Sequence, residues 1–194
     1  MNTIIILLAI LILLSIPIFL YPRKTTKPVT KPITRPVSNP VITSKDTFIK
    51  PYLDPENGCE VYPNIYLGNS QFASDKQLLY NLKVTHILNA AKEIPDYFQG
   101  DDTFQYVHLN LDDVPEENAS RFFEISKQFI DNALQNNGVV LIHCRAGVSR
   151  SVTMLMYYLM KTLNISPEEA LKLIRKCRPI ANPNPGFLKQ LGYP

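Results

Sequence analysis

The chain has 194 residues and a formal net charge of +3, enough for about one ordinary domain and a remainder, since domains usually run roughly 100 to 200 residues. The basic excess sits at one end: residues 1–50 hold seven Lys/Arg and one Asp, whereas residues 51–194 hold 13 Lys/Arg and 16 Asp/Glu. The part able to fold is therefore mildly acidic and gives no support for nucleic-acid binding, and its three cysteines, with no CxxC pair or clustered His/Cys spacing, argue against a zinc module.

Residues 4–21, IIILLAILILLSIPIFLY, carry no charge. At about 1.5 Å per residue they make roughly 27 Å of helix, close to the hydrocarbon thickness of a bilayer. Nothing basic precedes the run and no small-residue cleavage site closes it, so residues 1–21 read as a single transmembrane anchor in preference to a secretory signal. Arg23, Lys24, Lys27, Lys31 and Arg35 all follow the span, which places the remainder of the chain in the cytosol. A short span suits endoplasmic reticulum or mitochondrial outer membrane better than plasma membrane. In a cytosolic setting Cys59, Cys144 and Cys177 are expected unpaired, and the sequons at Asn118 and Asn164 stay unmodified.

Residues 22–50 repeat KPVT, KPIT, RPVS and NPVI. Such a stretch builds no core and reads as an extended, partly polyproline II stalk of at most roughly 90 Å. Residues 51–194 are left as the folded domain.

Within that domain VTHILNAA (84–91) and FQYVHLNL (104–111) read as short strands, and GVVLIHC (138–144), after Asn136-Asn137-Gly138, as a buried parallel one. Phe122, Ile125, Phe129, Ala133 and Leu134 recur at helical spacing, SVTMLMYYLMKTL (151–163) is apolar nearly all round, and SPEEALKLIRKC opens with a Ser cap and Pro167, predicting a helix over 167–177. Cys177 shares a stripe with Ala170, Leu173 and Ile174 and is expected to pack in the core; Cys59 carries no signal. The order of elements implies an α/β domain: a central, mostly parallel sheet flanked by helices and preceded by the transmembrane helix. Ligands of such sheets bind at the carboxyl ends of strands, where Cys144 stands.

A tight loop from Cys144 to Arg150, running from a strand into a helix, turns backbone N–H groups inward and forms an anion nest at a positive helix terminus. Gly147 supplies the freedom the turn needs. Arg150 offers a bidentate grip on phosphate oxygens, and the same field favours the thiolate of Cys144 over the thiol. The plain alternative is an inert core cysteine beside a surface arginine.

The stretch HCRAGVSRS (143–151) resembles the HCxxGxxR[ST] loop of the cysteine-based protein phosphatases. CEVYPNIYLGN, THILNAA and RPIANPNPGFLKQL are similar to their dual-specificity branch, over about residues 59–192. The resemblance implies a protein-tyrosine-phosphatase-like fold of the atypical type without a kinase-docking domain, and no metal or cofactor. It implies that Cys144 attacks phosphorus, that Arg150 and the loop residues Arg145, Ala146, Gly147, Val148 and Ser149 bind the phosphoryl group, that Ser151 assists breakdown of the intermediate, and that His143 orients the thiolate side. A leaving oxygen needs a proton. The family's acid lies seven residues before the Ser that opens the next helix, which selects Asp113 over Asp112; strand parity with Leu109 and Leu111 agrees. Asp112, Glu116 and Glu117 then read as solvated loop carboxylates. Asn184 either braces the loop or is an ordinary turn residue.

The implied substrates are phosphorylated proteins. Phosphoinositides remain an alternative because of the anchor, although Ala146, Val148 and Ser149 stand where lipid phosphatases place lysines. An RNA 5′-triphosphatase is disfavoured by the acidic domain, and an inactive phosphate-binding adaptor by the presence of both Cys144 and Arg150.

Overall fold

The computed structural model describes Asp54 and residues 56–193; the anchor and stalk read from residues 1–50 lie outside the described residues. Among the described residues no helix is long and apolar enough to cross a membrane.

Five strands form one sheet: β1 (Gly58–Tyr62), β2 (Ile65–Gly68), β3 (His86–Asn89), β4 (Gln105–His108) and β5 (Val140–His143), in the order β1-β2-β5-β3-β4. Only β1 runs antiparallel to its neighbour; the β2–β5, β5–β3 and β3–β4 pairs are parallel. The sheet is thus mixed, its parallel part lying where the sequence places parallel strands. Every residue of β5 is buried, as a continuous apolar run in the centre of a two-faced sheet must be.

Among the described residues the α-helices are α1 (Ser70–Ser74), α2 (Lys76–Asn81), α3 (Phe123–Gln135, entered through a 3-10 turn at Ala119–Phe122), α4 (Arg150–Leu163), α5 (Pro167–Arg175) and α6 (Pro185–Gln190). Strand alternation divides the core in two. Ile65, Leu67, Leu88, Val140 and Ile142 face a large cluster with α3 and α4, while Tyr66, Ile87 and Leu141 pack with Phe72, Ala73 and Leu79 from α1 and α2. The helix α4 buries nine residues from Arg150 to Leu159, which explains why it is apolar on nearly every side.

Three expectations need correction. On α3 the buried edge is Phe123, Ser126, Ile130 and Ala133, and Ile125 is 49% exposed; the apolar stripe is wider than the contact, and the sheet takes its neighbouring edge. Helix α5 ends at Arg175, capped by Lys176, two residues short of the expected end, although its start has the Ser166–Glu169 capping box that the sequence advertises. Released from the helix, Cys177 is not a core-packing thiol but is disulfide-bonded to Cys59, with Cα atoms 6.2 Å apart. Partners separated by 118 residues share no local spacing that a reading along the chain can detect, and the compartment argument rested on an anchor outside the described residues.

Register positions the site. Gly68, His143 and Asn89 are aligned across β2, β5 and β3, and His108 on β4 pairs with Asn89. The loops that follow these strands therefore leave from one edge. The disulfide closes a long loop across that scaffold, so its loss costs about 2–4 kcal/mol. Peptide mapping without reduction is expected to find Cys59 joined to Cys177 and Cys144 as the thiol; equal unfolding midpoints for the wild type and Cys59→Ser/Cys177→Ser would contradict the bond.

Candidate active site

The loop Cys144–Ser149 links β5 to α4, and each of its carbonyls from 145 to 149 is held from outside. Arg145 O accepts from Ser70 N at 3.0 Å, Val148 O from Asn182 N at 2.8 Å, and Ser149 O from Thr153 N at 2.8 Å. Ala146 O and Gly147 O both accept from Arg178, at 2.9 and 2.8 Å. In a trans peptide the N–H points opposite to the C=O, and no described peptide bond is cis. Anchoring the carbonyls outward thus turns the amides inward. Among the described residues none of the N–H groups of 146–150, which belong to these peptide units, donates to a backbone acceptor, which leaves a concave set of donors of the kind that binds anions.

Gly147 adopts φ +65, and a Cβ there would lie 2.6 Å from the carbonyl oxygen of Gly68. Both the backbone conformation and the close approach of β2 demand glycine.

Cys144 is 2% exposed, and its Sγ lies 3.1 Å from Ser151 Oγ on the first turn of α4. His143 is equally buried, with Nδ1 3.4 Å from Cys144 O. Burial pushes its imidazole down to about 4, so the ring is neutral near pH 7.

The Arg150 guanidinium is buried beside the thiol. Its Nη1 and Nη2 donate to the two carboxylate oxygens of Glu93 at 2.6 and 2.7 Å, and Nη1 also donates to Leu111 O at 3.1 Å. This fork-to-fork pair holds the Glu93 carboxyl down to about 2. Among the described residues Arg150 Nε finds no hydrogen-bond partner; it is buried, 3.8 Å from Asp113 Oδ2. A buried guanidinium N–H without an acceptor is costly unless an incoming anion supplies one.

Asp113 and Asp112 part company in space. Asp113 Oδ1 accepts from Ser149 Oγ at 2.7 Å and from Asn184 Nδ2 at 2.8 Å, so its carboxylate is drawn over the loop. Asp112 points away to Lys92 at 2.7 Å, and Glu117 pairs with Arg121. Asn184 is more than a turn residue: its Oδ1 caps α6 through Phe187 N, its N–H donates to Ser149 Oγ, and its side-chain amide donates to Asp113. Close contact at Gly186, where a Cβ would sit 1.9 Å from Pro115 O, seats the acidic loop against α6. Glu93, Asp112, Asp113, Val114, Arg145 and Arg150 line a cleft of about 500 Å³.

Residues 65–193 match the model of the dual specificity phosphatase catalytic domain. The chain belongs to the dual-specificity phosphatase family. This dual-specificity phosphatase domain is 38% identical to human dual specificity protein phosphatase 9 over 132 residues, which is 68% of this chain and 34% of that protein. It is 40% identical to mouse dual specificity protein phosphatase 19 over 131 residues, 68% of this chain and 59% of that one. The chain thus spans about a third of the former relative and under two thirds of the latter. The crystal structure of DUSP15 superposes with a TM-score of 0.66 at 35% identity, covering 70% of this chain and 85% of that one.

The dual-specificity phosphatase loop brings together Cys144, Arg150, Ser151, His143 and Asp113. Sequence reasoning missed Glu93: a Lys-Glu pair after THILNAA looks like any solvated loop, and only the fold carries it to Arg150.

His143 supplies a pH test. Its folded-state affinity for a proton is depressed relative to an ordinary imidazole near 6.5, so its contribution to stability is full above about pH 6.5 and is lost as pH falls toward 4. In His143→Asn the unfolding free energy is expected to fall less steeply across that window than in the wild type; parallel curves would contradict a neutral buried imidazole.

Proposed function

We propose that the chain is a membrane-anchored protein phosphatase that hydrolyses phosphotyrosine and phosphoserine/phosphothreonine through a phosphocysteine intermediate. The observation that carries the reading is a buried thiol at the start of an inward-facing amide loop, with Asp113 and an Arg150 whose Nε has no hydrogen-bond partner among the described residues both lining one cleft. A phosphate monoester seated in the loop receives the N–H groups and Arg150 Nε on its equatorial oxygens.

Cys144 Sγ then forms a bond to phosphorus as the ester P–O bond breaks, and Asp113, entering as the acid, gives its proton to the departing oxygen. In the second half Asp113, now ionised, takes a proton from the attacking water as a P–O bond forms and the S–P bond breaks. Ser151 Oγ, 3.1 Å from Sγ, donates to the departing thiolate. The reaction releases inorganic phosphate and returns the starting enzyme. The exposed hydrogen-bonded seat of Asp113 between Ser149 and Asn184 keeps the acid over the loop before substrate arrives, with no large loop closure required.

Membrane attachment and a cytosolic domain are supported by the apolar run 4–21 and the basic residues after it. Against them stands the Cys59–Cys177 disulfide, a bond more at home in oxidising compartments. Translation of the full chain with microsomes decides between the two: a cytosolic domain acquires no glycan at Asn118 or Asn164, and an endoglycosidase-sensitive mass at either reverses the orientation.

The activity is tested on residues 45–194 with phosphotyrosine peptides, phosphothreonine peptides and a phosphoinositide panel, in reductant and chelator. Release from both peptide classes is expected, abolished by Cys144→Ser. Asp113→Asn is expected to slow turnover by about 10²- to 10⁴-fold for poor leaving groups and far less for good ones. Release from lipid alone moves the substrate into the membrane; equal losses for all leaving groups transfer the acid's role elsewhere.

A further inference from the structure

On the outer side of the phosphate loop lies Arg178, among the largest of the fully buried side chains and 1% exposed. Its Nε donates to Gly147 O at 2.8 Å, its Nη2 to Ala146 O at 2.9 Å, and its Nη1 to Glu56 O at 3.3 Å. Burying a guanidinium is expensive. Backbone carbonyls meet part of the cost, two of them from the middle of the loop.

Those two carbonyls belong to the peptide units whose N–H groups are carried by Gly147 and Val148. Because N–H and C=O of one unit are opposed, a planar fork that captures both carbonyls also aims both amides into the loop. The other loop carbonyls are each held by a single residue, Ser149 O by both the N–H and the hydroxyl of Thr153; Arg178 sets two adjacent units at once, at the position where the backbone passes through the left-handed region of Gly147.

The backbone of Arg178 is tied in turn. Its N–H donates to Ile174 O at 2.8 Å, and the preceding residue, Cys177, is bonded to Cys59 on β1. Strand β1 pairs with β2, whose last residue, Gly68, packs against Gly147. The disulfide therefore joins the two supports between which the loop is held: the strand pair on one side and the arginine on the other.

We propose that Arg178 is a positioning residue for phosphate binding, acting through the carbonyls of Ala146 and Gly147, and that the Cys59–Cys177 disulfide holds it in register. This rests on the reading of 144–150 as a phosphate-binding loop. Arg178 touches no substrate: it sets the direction of two amide donors that do.

The test compares the wild type with Arg178→Gln, Arg178→Lys, Cys59→Ser/Cys177→Ser and a destabilised control, Leu79→Ala, in the core on the far face of the sheet. The readouts are the inhibition constant of inorganic phosphate, KM and kcat for p-nitrophenyl phosphate, and the unfolding midpoint. Loss of two oriented, charge-assisted contacts is expected to raise the phosphate inhibition constant and KM of Arg178→Gln by about tenfold or more, with a smaller change in kcat. Lysine, which reaches one carbonyl, recovers part of the loss, the disulfide-free protein falls between wild type and Arg178→Gln, and Leu79→Ala is destabilised with both constants unchanged.

Folded Arg178→Gln with wild-type phosphate inhibition and KM overturns the proposal. Should the glutamine variant not fold, unchanged constants in Arg178→Lys do the same. A disulfide-free protein identical to wild type in both constants overturns the tether. Wild type that binds no phosphate overturns the reading of the loop itself, and the brace with it.

Discussion

The structure turns on the orientation of the five peptide units between residues 145 and 150. Their carbonyls are drawn outward by Ser70, Arg178, Asn182 and Thr153, and from that single constraint the inward ring of amides follows without any further choice of side chain. Preorganisation of this kind is what makes dipoles useful for a transferring phosphoryl group: the donors are already aimed, and no reorganisation is needed when charge develops. The parallel register of β2, β5 and β3, the left-handed Gly147 and the buried start of α4 are all means of holding those five units in place.

Around the loop, the charge of Arg150 is shared between two carboxylates. Glu93 neutralises Arg150 through two of its nitrogens, and Asp113 is kept at the third by Ser149 and Asn184, 3.8 Å from Nε. Asp113 thereby stays over the loop, within ion-pair distance of Arg150 Nε.

Much of this was legible in the chain. Strand-like runs at 84–91, 104–111 and 138–144, the Ser166 cap and the apolar sequence of α4 report local periodicity and turn chemistry, and those survive folding. The spacing from Cys144 to Arg150 reports the loop, because a loop of that length has little freedom once its ends are a buried strand and a helix. What could not be read are contacts made across the fold: Glu93 with Arg150 over 57 residues, Arg178 with Gly147 over 31, and Cys59 with Cys177 over 118. Ile125 lies exposed for a related reason, since an amphipathic stripe names candidates for burial and the neighbouring sheet chooses among them.

In the proposed reaction Cys144 carries the phosphoryl group between substrate and water. Rapid acid quench of the wild type during turnover of a phosphotyrosine peptide, followed by peptide mass mapping, addresses it without inference from rates. A single phosphoryl group on the peptide that contains Cys144, absent in Cys144→Ser, is the predicted result. Turnover with no covalent phosphoryl on that peptide, or with the group on another residue, would contradict it.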